Sequence, residues 1–238
     1  METLLTVVIP AYNAEKYIQY TLDSLCAGCE GISQSSGNAE KGRNAVEPDR
    51  KHPKKGMPRL EVLVVDDGST DQTGKIADQY AKIYPDTVRV IHKENGGHGS
   101  GINCGVREAR GRYLKIVDAD DWVEPEAFSN LLDALAHTND DAVVSGFYWR
   151  FDNGSGEESS FPSKAEMKEP FKGVLFGKSY VLDGIADQVY MKMHGITWRT
   201  EIFRQMPLSI DEHCYYVDAE YILYPIPWVR TVSFLPDF

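Results

Sequence analysis

Carboxylates crowd two short stretches of the chain, "VVDDGST" at 64–70 and "IVDADDW" at 116–122. In each stretch a run of branched apolar residues ends in aspartates, which marks the tip of a buried strand. Ionised groups have no place inside such a strand, so Asp66, Asp67, Asp118, Asp120 and Asp121 must face something outside it. Carboxylates held together repel one another unless a positive charge stands among them. The simplest such charge is a divalent cation with oxygen ligands, Mn²⁺ or Mg²⁺, holding a phosphorylated substrate. In an extended or turn conformation Asp118 and Asp120 of "DADD" can point to one side. A lone D-x-D is usually an Asp-rich turn, or the cap of a following helix such as the one Pro125 begins. A second acidic strand end lifts this one above that reading.

The elements that must position these residues can be read from periodicity. "LLTVVI" (4–9) is a strand stopped by Pro10, followed by the loop "PAYN". A helix follows, with Asn13 as its cap and Ile18, Leu22 and Leu25 on its apolar face. "LEVLVV" (60–65) is a second strand. The helix over 69–84 has Ser69 and Gln72 at capping-box spacing and Ile76, Tyr80 and Ile83 as its apolar face. "VRVIH" (88–92) is a third strand, and "ENGGHGSGINCG" leads into a helix around 101–110. Strands over 112–118 and 142–151 flank a helix begun by Pro125, with Phe128, Leu131, Leu132 and Leu135 at i, i+3, i+4 and i+7. This alternation predicts an α/β fold with a mostly parallel central sheet and helices on both faces. Ligands bind outside the carboxyl ends of such strands, so the five aspartates should gather along one edge, with Tyr12 and Asn13 beside them.

Two regions depart from the pattern. Residues 27–58 hold almost no large apolar side chains and read as a mobile surface insertion. Beyond residue 152 the alternation fails. That half reads as a mixed cover packed over the sheet edge, with 171–206 as helix and loop. The chain stops at "VSFLPDF" without an obvious closing element, so the natural protein is expected to continue.

Composition narrows the function. The 238 residues carry 25 Lys and Arg against 36 Asp and Glu, a net charge of −11 that argues against a nucleic-acid partner. No apolar run approaches the ~18 residues of a membrane span, and the N-terminus lacks the basic region and cleavage site of a signal peptide. A cytoplasmic location is expected, compatible with peripheral attachment to the inner face of a membrane. Cys26 and Cys29 form a C-x-x-C with no second pair to complete a zinc site, so the cysteines read as reduced thiols. The place where a dinucleotide-binding G-x-G-x-x-G would stand is "PAYNAE", and no P-loop motif occurs. A sugar nucleotidyltransferase would want a Gly-rich, basic loop there, and a non-catalytic nucleotide-binding module would have lost the acidic residues.

In this order "VVIPAYNAEKYI", "LEVLVVDDGSTDQT" and "KENGGHGSGINCGVREARGRYLKIVDADDWVEPEAF" resemble family 2 glycosyltransferases, inverting enzymes with the Rossmann-like glycosyltransferase A fold. The resemblance spans 4–130 apart from the insertion. It implies a nucleotide-sugar-binding half over 1–151 and an acceptor-side half of the same domain over 152–238. Pro10, Ala11 and Tyr12 would line the nucleotide base, and Asp66 would accept a hydrogen bond from its imide. Asp67 and Gly68 would shape the turn, and Asn95, Gly96 and Gly97 would border the nucleotide. The "GGHGSGIN" stretch lacks the arginine that commonly precedes this Asn. Asp118 and Asp120 match the D-x-D that binds ribose and the metal on the diphosphate, and the register of "DADD" lets Asp121 share the metal. The general base is an Asp or Glu of the second half, where "DEHCYYVDAEYILYP" (211–225) offers Asp218, with Glu220 and Asp211 behind it. The resemblance thus implies inverting transfer from a nucleotide sugar, expected to be a UDP-sugar, to a carbohydrate, lipid-linked or protein acceptor in cell-surface polysaccharide or glycoconjugate synthesis. His98 and His194 are open between phosphate contact and packing, and Trp198 between sugar stacking and packing.

Overall fold

The computed structural model describes residues 3–29, 59–147, 173–187, 191–207 and 209–236. The expected insertion lies outside these from residue 30 onward, as do 148–172. Four parallel strands form the nucleus: β1 (Thr3–Ala11), β2 (Arg59–Asp66), β3 (Val88–His92) and β4 (Tyr113–Ile116), in the spatial order β3-β2-β1-β4. The chain runs outward from β1 to β3 and then returns to the other side of β1. The order therefore reverses between β1 and β4, the place where such sheets open a crevice.

Both faces of β1 are covered, which explains its unbroken apolar run. Leu5, Val7 and Ile9 pack with residues of α1 (Ile18–Cys29), α2 (Thr73–Ile83) and α4 (Pro125–His137). Val8 enters the opposite core with residues of α3 (His98–Glu108), α5 (Thr200–Gln205) and α6 (Asp218–Leu223). Helix α3 lies so close to β1 that a Cβ on Gly105 would stand 2.1 Å from Val8 Cγ1.

The second half does more than cover the sheet: it completes it. β7 (Ile196–Arg199) pairs antiparallel with β4 and with β5 (Ala142–Val144), β8 (Thr231–Phe234) pairs parallel with β5, and β6 (Ser179–Val181) closes the edge. Among the described residues the result is one eight-stranded sheet. The short strands β6, β7 and β8 are not embedded in longer apolar runs that declare a period, so only the first half was legible by alternation.

Local chemistry also corrects several expectations. α2 starts at Thr73 with no side-chain cap from Gln72, because Ser69 is engaged elsewhere and Asp71 accepts the Thr73 N–H. Asn13 has φ 50° and caps no helix; its Oδ1 accepts the Thr70 N–H. α3 begins at His98, three residues before its expected start. No helix among the described residues is long and apolar enough to cross a membrane.

Candidate active site

A cleft of about 590 Å³ opens at the carboxyl ends of β1, β2 and β4. β1 runs through Pro10 to Ala11 instead of stopping at Pro10, so the first wall is the end of β1 and the loop after it, where Pro10, Ala11 and Tyr12 line the space and Tyr12 stands exposed. This loop is tied to the turn after β2. Ser69 Oγ accepts the Asn13 N–H at 3.0 Å, and Asn13 Oδ1 accepts the Thr70 N–H at 2.9 Å.

The two aspartates of that turn divide the work differently from the expectation. Asp66 does not line the cleft. Its carboxylate accepts the Ser69 N–H at 3.1 Å and meets His92 Nδ1 at 2.8 Å. Asp67 is the one at the cleft, 3% exposed, and it organises the glycine-rich loop. It accepts Lys93 Nζ at 2.5 Å and the N–H groups of Gly96 at 3.0 Å and Gly97 at 2.8 Å. Gly97 takes φ 85°, a conformation open mainly to glycine. Asn95 and Gly97 line the cleft, whereas Gly96 stands behind it. The Asp66 hydrogen bond holds His92 above its ordinary pKa, against the opposing effect of burial, with Asp78 adding to it.

The turn after β4 carries the acidic cluster. Glu124, rather than an aspartate of "DADD", caps α4 by accepting the Ala127 N–H at 2.8 Å. The capping explanation for these aspartates therefore fails. Asp118 and Asp120 line the cleft, and Asp118 Oδ1 meets His98 Nε2 at 2.8 Å. Burial would depress His98, but the Asp118 hydrogen bond and the charges of Asp118, Asp218 and Asp120 raise it above its ordinary value. Burial, and then the neighbouring Asp121, push the Asp120 carboxyl upward. Asp121 Oδ2 lies 3.3 Å from His194 Nδ1 on the turn before β7.

One ligand atom from each of Asp118, Asp121 and His194 falls within 4.8 Å of the others. Two carboxylates of one turn and an imidazole from another, beside a carboxyl whose charge is disfavoured, suit a divalent cation. Asp120 is not part of that convergence. His194 was visible in "MHGITW", but no spacing links it to residues more than seventy positions earlier. Trp198, the other open aromatic, is fully buried on β7 and takes no part in the cleft.

The opposite wall is the 209–217 segment. Asn103 of α3 holds it at both atoms of its amide, with Nδ2 donating to Ile210 O at 2.8 Å and Oδ1 accepting the Ile210 N–H at 3.0 Å. The His213 N–H donates to Gly96 O at 2.8 Å. Tyr215 and Tyr216 project from this wall almost fully exposed. Asp218 follows at the start of α6 and lines the cleft. Asp211 and Glu220 do not line it; Glu220 accepts the Asp211 N–H at 2.8 Å and braces the segment.

Comparison with known proteins places this geometry. The model of the family described as Glycosyl transferase family 2 matches residues 6–185. EpsJ of Bacillus subtilis (strain 168), an uncharacterized glycosyltransferase, is 32% identical over 148 residues, 62% of this chain and 35% of its own length. TarS 1–349 of S. aureus, solved with UDP-GlcNAc, aligns over 99% of this chain and 57% of its own with a TM-score of 0.64 at 23% identity. Mannosyltransferase PcManGT of Pyrobaculum calidifontis, solved with GDP-Man and Mn²⁺, aligns over 100% of this chain and 56% of its own with a TM-score of 0.62 at 18% identity. At these identities the two structures establish the fold. The chain spans about half or less of the length of the curated relatives it matches.

Proposed function

The chain belongs to glycosyl transferase family 2, and from that premise we propose that it moves a sugar from a UDP-sugar to an acceptor hydroxyl with inversion, assisted by a divalent cation. The observation that carries this reading is the meeting of three separate elements on one cleft: the loop after β1, the acidic turn after β4, and Asp218 on the far wall. Residues up to 151 supply the donor side in this reading, and later residues supply the acceptor side. Tyr12 and Asn95, which both line the cleft, would border the base. Asp66 is already engaged by His92 and Ser69, so base recognition falls to other groups.

Asp118, Asp121 and His194 would hold Mn²⁺ or Mg²⁺, with Asp120 close by. A bound cation supplies positive charge to a departing diphosphate, which lowers the barrier as its negative charge develops. The protein's own part is orientation and proton transfer. Asp118 is held by His98, which fixes one edge of the donor site. An acceptor hydroxyl has a very high pKa and needs a base positioned at the cleft, a role assigned to Asp218. A single in-line displacement at the anomeric carbon inverts it: the acceptor oxygen would form the new bond as UDP leaves with the old one, and Asp218 would take the hydroxyl proton. Tyr215 and Tyr216, amphipathic rings at the cleft wall, favour a carbohydrate acceptor over a protein one and so fit synthesis of a cell-surface polysaccharide or glycoconjugate.

The test is release of UDP from a panel of UDP-sugars with Mn²⁺, comparing the native chain with Asp218→Asn. The native chain should release UDP from at least one donor. The variant should bind UDP equally well yet turn over about 10²-fold more slowly or worse. Equal turnover in the variant would remove Asp218 as the base.

A further inference from the structure

Lys115 lies in the middle of β4 with neighbours on both sides in the sheet, and it is only 5% exposed. A buried ammonium is costly unless it is hydrogen-bonded. Its Nζ donates to the backbone carbonyl of His194 at 2.6 Å. Burial pushes the lysine down to about 8, with the nearby Asp121 charge opposing that fall. The lysine therefore links the floor of the sheet to the turn at 193–195. Other features seat the same turn as well, among them the Ser145 N–H and Oγ, which donate to Gly195 O at 2.9 Å and 3.3 Å, and the Phe147 ring, which stands 5.2 Å from the His194 ring. These fix the turn's far end and one side of the ring, whereas Lys115 holds the backbone of His194 itself.

We propose that Lys115 is a positioning residue for the cation site: by holding the His194 carbonyl, it sets where the imidazole stands relative to Asp121. The inference rests on the reading that Asp118, Asp121 and His194 hold a cation. Its sign separates it from a plain charge effect. Removing a positive charge beside an anionic cation site would, on Coulomb's law alone, tighten cation binding. Loss of a group that orients a ligand loosens it, typically by about 10- to 100-fold.

The experiment is titration of the apo chain with Mn²⁺, followed by the electron paramagnetic resonance signal of free Mn²⁺. It compares the native chain, Lys115→Met, His194→Ala and the double variant. Lys115→Met should bind Mn²⁺ about tenfold or more weakly. His194→Ala should also be weakened, and the double variant should be no weaker than His194→Ala alone, because the lysine acts through the histidine. Unchanged or tighter binding in Lys115→Met, or additive losses in the double variant, would overturn the proposal. Should Lys115→Met not fold, Lys115→Gln is read the same way. Loss of the fold in both would assign the lysine to stability and likewise overturn the proposal. A native chain that binds no Mn²⁺ would overturn the cation reading and this inference together, whereas a native chain that binds it while Lys115→Met is unaffected would overturn this inference alone.

Discussion

Asp66 and Asp67 are adjacent and chemically identical, yet the backbone sends them to different tasks. Asp67 is covered by Lys93 and two loop N–H groups, so it builds the glycine-rich wall. Asp66 joins His92, which also meets Asp78 at 3.2 Å. That arrangement has a pH signature. A histidine whose folded pKa is raised contributes stability that is full below its unfolded value, about 6.5, and is lost as pH rises through the folded value. His92 is half exposed, so the effect is modest. Thermal midpoints of the native chain and His92→Gln, taken from about pH 5.5 to about 8.5, should differ most at the acid end and converge at the alkaline end. A gap constant across that range would contradict the assignment. The pairing was not legible in the sequence, because which of two neighbouring carboxylates turns inward depends on the φ of Gly68 and on the strand beside it.

At the scale of elements, the contact between α3 and the 209–217 segment joins the proposed donor side to the proposed acceptor side. A Cβ on Gly99 would stand 2.0 Å from the Asp211 carbonyl oxygen, a backbone atom that can move only with its whole segment. Gly99→Ala should therefore shift Asp218 while leaving Tyr12 and the turn after β4 in place. We expect UDP affinity to stay nearly unchanged and sugar transfer to fall by up to about 10²-fold, as sub-ångström to 1 Å misplacements of reacting groups do. Equal losses in both would mean that the segment belongs to the donor site. The sequence announced this helix, its glycines and the acidic residues of 211–220, since periodicity and charge are local properties. The docking between them was hidden. It depends on Asn103 and Ile210, which are 107 positions apart.

For the whole molecule, the legible part was the parallel nucleus and β5, whose strands lie within apolar runs long enough to show themselves. The acidic turns were placed correctly at its carboxyl edge, because that follows from direction alone. The completion of the sheet by β6 to β8 could not be read from three- and four-residue strands, and neither could the arrival of His194 beside Asp121. That arrival is the crux of the account, which proposes that residues from both halves of the chain hold a cation beneath a nucleotide. The most direct test is calorimetric titration of UDP with and without Mn²⁺, on the native chain and on Asp121→Ala. The account predicts that Mn²⁺ tightens UDP binding to the native chain by about tenfold or more, and that the substitution removes this gain while metal-free binding persists. UDP binding indifferent to Mn²⁺ in the native chain, or a gain that survives the substitution, would contradict it.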